Sequence, residues 1–144
     1  MASAEVFEGD CFVDDRGILS YLNVAPFEKV KRLYIVENFS NDTIRAFHGH
    51  KIEDKFVLVV SGSALVIIAE LSDEKLKNPV RYTLSDRKLR LLHIPAGYAN
   101  GIRTLTPNTK ILFFSTTTMQ EATSDDFRFD YDYFGEEIWK VKSK

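Results

Sequence analysis

Ile44-Arg45-Ala46-Phe47-His48-Gly49-His50 is the stretch that decides the fold. Polar Arg45 and His48 interleave with apolar Phe47, and the run reads as a half-buried strand. Residues i and i+2 of a strand share a face. His48 and His50 therefore point the same way, toward the interior. Similar short runs flank this one: Val6–Val13, Ile18–Val24, 31–37, Phe56–Val60, Ala64–Leu71, Val80–Leu84, Leu89–Ile94 and Ile111–Thr117. Turn signals separate them: Asp14-Asp15-Arg16-Gly17, Pro26, 38–42, Ser61-Gly62-Ser63 and Pro95-Ala96-Gly97. Ser72–Pro79 reads as a charged loop. Many short strands at this spacing predict an all-β sandwich or barrel.

Working outward, no stretch before residue 119 has helical periodicity. The tail from Asp125 to Trp139 is acidic and aromatic, and reads as an irregular segment over one barrel mouth. Repeats, low-complexity tracts and linkers are absent, so residues 1–144 read as one domain. The 144 residues, 44% hydrophobic and 28% charged, suit one core. A net charge of −2 and scattered basic residues exclude recruitment by nucleic acid or an anionic membrane. One cysteine, Cys11, forms no internal disulfide, which suggests a reducing compartment. Met1-Ala2-Ser3-Ala4-Glu5 lacks the marks of a signal peptide, and Ala64–Ala69 is too short to cross a bilayer. The expected location is the cytoplasm.

Two constellations carry chemistry. The first is the histidine strand. Two imidazoles on one barrel face serve either as metal ligands or as acid–base groups. The second is Ile94-Pro95-Ala96-Gly97-Tyr98-Ala99-Asn100-Gly101. Alone, Pro-x-Gly is a turn. Together with His-x-His and Gly62 it resembles the paired motifs of the cupin superfamily, which implies a double-stranded β-helix, the jelly-roll barrel. Metal-binding cupins take two His and a Glu from the first motif and a third His from the second. Here Glu53 lies one residue too close to His50, and Asn100 stands where the third His belongs. An amide is a poor ligand for borderline divalent metals. The expectation is therefore no metal and acid–base work.

Asp15-Arg16-Gly17, Arg45-x-x-His48, Ile94-Pro95-x-Gly97-x-Ala99-x-Gly101 and Ile138-Trp139 resemble the RmlC-like 3,5-epimerases of nucleotide-linked 4-keto-6-deoxy sugars. The resemblance runs from about Asp14 to Trp139. A second group overlaps. Phe27-Glu28-x-x-Lys31-Arg32, His48-x-His50-Lys51 and the tail from Asp126 to Phe134 look like the nucleotide-sugar 3,4-ketoisomerases. Both groups imply a cupin barrel, a homodimer and no cofactor. The dimer could form by the N-terminal strand pairing across a partner's sheet edge.

A C–H beside the C4 ketone of such a sugar is acidic enough for a side-chain base, and His suits neutral pH. The enolate then needs a donor near the ketone oxygen. Return of the proton on the opposite face epimerises the carbon. Its transfer to the neighbouring oxygen-bearing carbon is ketoisomerisation. The resemblance makes His48 the base and His50 its undecided partner. It makes Asp132, or Asp130 close behind, the carboxylate that orients His48. Arg45 and Lys55 match positions that hold the sugar or stabilise the enolate. Arg16 matches the diphosphate partner. Asn100 and Tyr131 complete the substrate-binding set. His93, within an apolar run, reads as structural.

The epimerases carry an acid tyrosine on the strand corresponding to Ile111–Thr117, where this chain has Phe113 and Phe114. Return of the proton would then need His50, a tail tyrosine or water. The sequence reading is an epimerase acting at C3, or at C3 and C5, of a dTDP- or UDP-linked sugar. Such an enzyme would feed lipopolysaccharide or another surface glycan. Two rivals stand beside it: a 3,4-ketoisomerase and a non-catalytic sugar-binding cupin.

Overall fold

The computed structural model describes residues 2–144. Its strands are β1 (Glu5–Glu8), β2 (Asp10–Asp14), β3 (Gly17–Tyr21), β4 (Arg32–Val36), β5 (Ile44–His50), β6 (Lys55–Ser61), β7 (Ser63–Ser72), β8 (Lys75–Ser85), β9 (Arg90–Ile94), β10 (Tyr98–Thr104), β11 (Lys110–Ser115) and β12 (Phe127–Arg128). One sheet has the order β1-β9-β6-β11-β4 and the other β12-β5-β10-β7-β8. All pairings are antiparallel, and β2 pairs with β3 alone. One short helix, α1 (Met119–Ala122), begins at a capping box in which Thr118 and Glu121 bond each other's backbone. This all-β arrangement is the expected cupin barrel.

The two sheets face each other across one apolar interior. Val57, Val59, Val66, Ile68, Leu92, Ile94, Ile102, Ile111 and Phe113 meet there. Each such side chain contributes about 1.5–3 kcal/mol by leaving water. Strand β7 is buried on both faces, because its alternate residues Leu65, Ile67 and Ala69 pack with Phe47 and Trp139 on the outside of the sheet. That second core is where the tail goes. Phe127, Phe129, Phe134 and Ile138 pack against it, and the Trp139 indole donates to the Tyr131 carbonyl at 2.7 Å. The tail therefore backs the β5–β10–β7 sheet instead of capping the barrel mouth as expected. Exposed aromatic surface would be costly, and the apolar back of β7 is the surface that absorbs it.

Three further expectations change. The run Val6–Val13 divides at Gly9, whose N–H donates to the Leu89 carbonyl; β1 joins the sheet while β2 leaves with β3. The charged loop Ser72–Pro79 is a tight hairpin. Asp73 and Glu74 take left-handed φ values of 53° and 58°, and β8 resumes at Lys75. Strand β8 lies at a sheet edge, which tolerates Pro79. The segment after Pro95-Ala96-Gly97 is the central strand β10, with a bulge between Asn100 and Ile102. Gly101 belongs to that bulge. A Cβ there would stand 2.4 Å from the Ala46 Cβ and 2.7 Å from the Trp139 ring.

Candidate functional site

The barrel is apolar along most of its length and polar at one end. A cavity of about 770 Å³ opens there. His48, His50 and Asn100 line one wall, from β5 and β10. Arg32, Tyr34, Lys55 and Phe113 line the facing wall, from β4, β6 and β11. Period-two alternation delivers each set. Asp126 and Arg128 reach the rim from the tail where β12 pairs with β5.

Glu53 lies at the floor, only 2% exposed. Arg32 Nη2 donates to its Oε1 at 2.8 Å, Thr117 Oγ1 donates at 3.1 Å, and the Ser115 hydroxyl also donates. Its Oε2 faces His50 Nε2 at 3.1 Å and Lys55 Nζ at 3.9 Å. Burial raises the Glu53 carboxyl, but Lys55, Ser115, His50 and Arg32 together hold it below the usual carboxylate range. The other nitrogen of His50, Nδ1, lies 2.5 Å from the Asp125 carbonyl. The imidazole of His50 thus lies between the Asp125 carbonyl and the Glu53 carboxylate. The Asp125 carboxylate accepts the N–H groups of Lys51, Ile52 and Glu53 at 2.7–3.1 Å and fixes the β5–β6 connection.

His48 is less confined. Its Nδ1 is 3.9 Å from Asp126 Oδ1. Burial, with Arg128 and Lys55, pushes its imidazole below the ordinary value of 6.5. It is therefore neutral at pH 7 and able to accept a proton. Opposite stands Lys55, 6% exposed, with Nζ 3.3 Å from Asn100 Oδ1. Burial pushes its amine down to about 8, against the pull of Glu53.

The structure gathers His48, His50, Arg45, Lys55 and Asn100 around one cavity. Arg45 sits on the rim and donates from Nε to Asn38 Oδ1 at 2.6 Å. Three other expected site residues lie elsewhere. Asp132 is exposed in the turns after β12, does not line the cavity, and the carboxylate beside His48 is Asp126. Tyr131 lines a separate hollow on the outer side of the barrel with Arg103 and Trp139, its hydroxyl donating to Glu136 at 2.9 Å. Both displacements follow from the tail running behind the sheet. Arg16 projects from the β2–β3 hairpin, pairs with Asp14 at 2.5 Å, and is outside the cavity lining. His93 bonds Asp54 at 2.8 Å and stacks on Phe56, outside the cavity; Asp54 also accepts the Ala96 N–H and so clamps the Pro95 turn.

Sequence reasoning missed Arg32, Tyr34, Asp126 and Arg128. The first two were within reach, since alternation along 31–37 places them on one face. A metal does not fit these side chains. Cations of the protein already hold the two obvious donors, Arg32 on Glu53 and Lys55 on Asn100.

Comparison with known proteins agrees with this architecture. The family described as dTDP-4-dehydrorhamnose 3,5-epimerase matches residues 2–135. The spore coat polysaccharide biosynthesis protein SpsL of Bacillus subtilis is 32% identical over 126 residues, covering 83% of this chain and 82% of that protein. A Bacillus anthracis dTDP-4-dehydrorhamnose 3,5-epimerase, solved with TDP and PPi bound, superposes with a TM-score of 0.79 at 24% identity, over 97% of this chain and 86% of the other. The QdtA 3,4-ketoisomerase of Thermoanaerobacterium thermosaccharolyticum, as a double mutant with TDP, gives 0.70 at 21% identity, over 95% and 94%. The two solved structures support the fold.

The electrostatics set a direct expectation. In an NMR titration His48 protonates below 6.5, and Arg128→Ala moves its midpoint upward, because the guanidinium disfavours the imidazolium. A midpoint that stays put or falls in Arg128→Ala contradicts this account of the site.

Proposed function

The chain belongs to the dTDP-4-dehydrorhamnose 3,5-epimerase family, and on that premise we propose that it epimerises C3 of a nucleotide-linked 4-keto-6-deoxyhexose. The observation that carries the reading is a neutral imidazole, His48, facing an ammonium group, Lys55, across a cavity of about 770 Å³. His48 removes the C3 proton. Positive charge from Lys55 and Arg32, with the Asn100 amide, surrounds the region where the enolate oxygen develops. Asp126 is the carboxylate that orients His48. His50, whose Nδ1 meets the Asp125 carbonyl, holds the wall in shape. Epimerisation at C3 alone demands less machinery than action at both C3 and C5, and fits a cavity whose β11 wall carries Phe113 and no tyrosine. The nucleotide is dTDP- or UDP-type; the TDP held by the two solved structures above favours the former.

The protein acts as a homodimer in this reading, in the cytoplasm. The β2–β3 hairpin supports the dimer. It is a two-stranded ribbon with Phe12 and Leu19 exposed on one face and Val13 and Ile18 on the other. Such a ribbon is marginal alone in water and gains stability by lying on a second copy. Arg16 then extends toward the partner, where its guanidinium suits a diphosphate.

The test is to incubate the protein with dTDP-4-keto-6-deoxyglucose in D₂O and follow the sugar by NMR. Deuterium appears at C3 with inversion and the ketone stays at C4. His48→Asn lowers the rate by about 10²–10⁴-fold, the usual worth of a positioned base. A ketone moved to C3 makes the chain a ketoisomerase. No change in the sugar leaves a binding protein. For the dimer, sedimentation that gives a 16.5 kDa species contradicts the ribbon argument.

A further inference from the structure

We propose that Lys55 is the acid that returns the proton to C3, on the face opposite His48. The inference rests on the epimerase reading above and assigns its second half-reaction. Inversion needs a donor on the far side of the carbon from the base. His48 belongs to the β5–β10 sheet, so the donor must come from the sheet that faces it. Besides the apolar Val36, that wall offers four side chains at the cavity: Arg32, Tyr34, Lys55 and Phe113.

Three of the four are poor donors. Phe113 has no exchangeable proton. Arg32 is committed to Glu53 and the Thr117 carbonyl, and a guanidinium does not give up its proton in a protein. The Tyr34 ring stacks on Phe113 at 5.0 Å, and its phenolate would form beside the buried Glu53 charge. Burial and that charge push its hydroxyl above the ordinary phenol value, so it releases a proton reluctantly. Groups from elsewhere are excluded by position. The Tyr131 hydroxyl is bound to Glu136, that of Tyr133 accepts the Leu76 N–H, and His50 stands on the same strand as His48, on the base's own wall.

Lys55 meets each requirement. Its ammonium is buried on the cavity wall, within 3.3 Å of Asn100 Oδ1. Asn100 is the cross-strand neighbour of His48 in the β10–β5 register, so the ammonium, carried by the facing sheet, and the imidazole reach the same part of the cavity. The Glu53 carboxylate, 3.9 Å away, holds the ammonium without fully neutralising it. An amine brought down to about 8 by burial exists in both protonation states near neutral pH, as a donor that must reload requires.

The step balances. The C3–H bond breaks with its proton going to His48 and its electron pair into the enolate. A new C3–H bond then forms on the other face as one Lys55 N–H bond breaks. Lys55 is left as the neutral amine and His48 as imidazolium. Exchange with water resets both.

The experiment compares wild type, Lys55→Arg and Tyr34→Phe with dTDP-4-keto-6-deoxyglucose in D₂O. It measures C3 proton exchange and C3 inversion separately. Arginine keeps the positive charge at the enolate and cannot release a proton. Lys55→Arg is expected to exchange C3 hydrogen with retention of configuration and to lose inversion by about 100-fold or more. Tyr34→Phe is expected to invert within a few-fold of wild type. Lys55→Gln, checked by circular dichroism for a wild-type fold, is expected to lose inversion as well. Inversion by Lys55→Arg at the wild-type rate overturns the assignment. So does a proportional loss of exchange and inversion, which would leave Lys55 as an enolate stabiliser alone. Inversion lost in Tyr34→Phe but kept in Lys55→Arg moves the role to Tyr34. Wild-type protein that neither exchanges nor inverts C3 removes the epimerase reading itself, which is a different failure.

Discussion

The side chain of Glu53 has no contact with water, and the polar end of the barrel is organised around its charge. A buried carboxylate is tolerated only when cations and hydrogen-bond donors surround it. Here they come from both sheets and the segment after β11: Arg32 from β4, His50 from β5, Lys55 from β6, Ser115 from β11, and Thr117 beyond it. Stripping one partner from a buried ion pair costs roughly 3–5 kcal/mol, so the cluster fixes the spacing of the two walls. The position that resembles a metal ligand in sequence thus serves as the anchor of a cationic cavity. The same anchor separates the two histidines. It lies against His50, 3.1 Å from Nε2, and leaves His48, two residues earlier, free to meet a ligand.

The division of labour between the sheets follows from the barrel. One sheet carries the imidazole of His48, the proposed base, and the facing sheet carries positive charge. Burial acts on both in the direction chemistry at neutral pH needs, lowering the imidazole of His48 and the amine of Lys55. Neither effect requires a tyrosine on β11, where Phe113 stands. In the proposed reaction, the C–H acid lies between groups already in the barrel's walls.

Much of this was legible in the residues. Strand β5 runs from Ile44 to His50, the very stretch that reads as a strand, and the i, i+2 rule places both histidines inside. The tail was legible only in composition. Asp125 and Asp126 look like the rest of an acidic run, yet Asp125 is 2% exposed because three backbone N–H groups meet its carboxylate. No local pattern carries that information. Asp132 was displaced for the same reason: the tail runs behind the sheet, and only its first residues reach the cavity. Strand β10 was hidden by its small residues, Ala99 and Gly101, which suit a turn by propensity. It is a strand because β5 and β7 flank it, and Gly101 is small because Ala46 and Trp139 leave no space.

The central claim is that base and acid are different groups on opposite walls. It is tested most directly by giving the enzyme a substrate deuterated at C3, in ordinary water, and reading the product after a single turnover. Two separate groups predict an inverted product carrying protium at C3, with the deuterium lost from His48 to solvent. Substantial return of the original deuterium to the inverted carbon would mean that one group serves both faces, and would contradict the account.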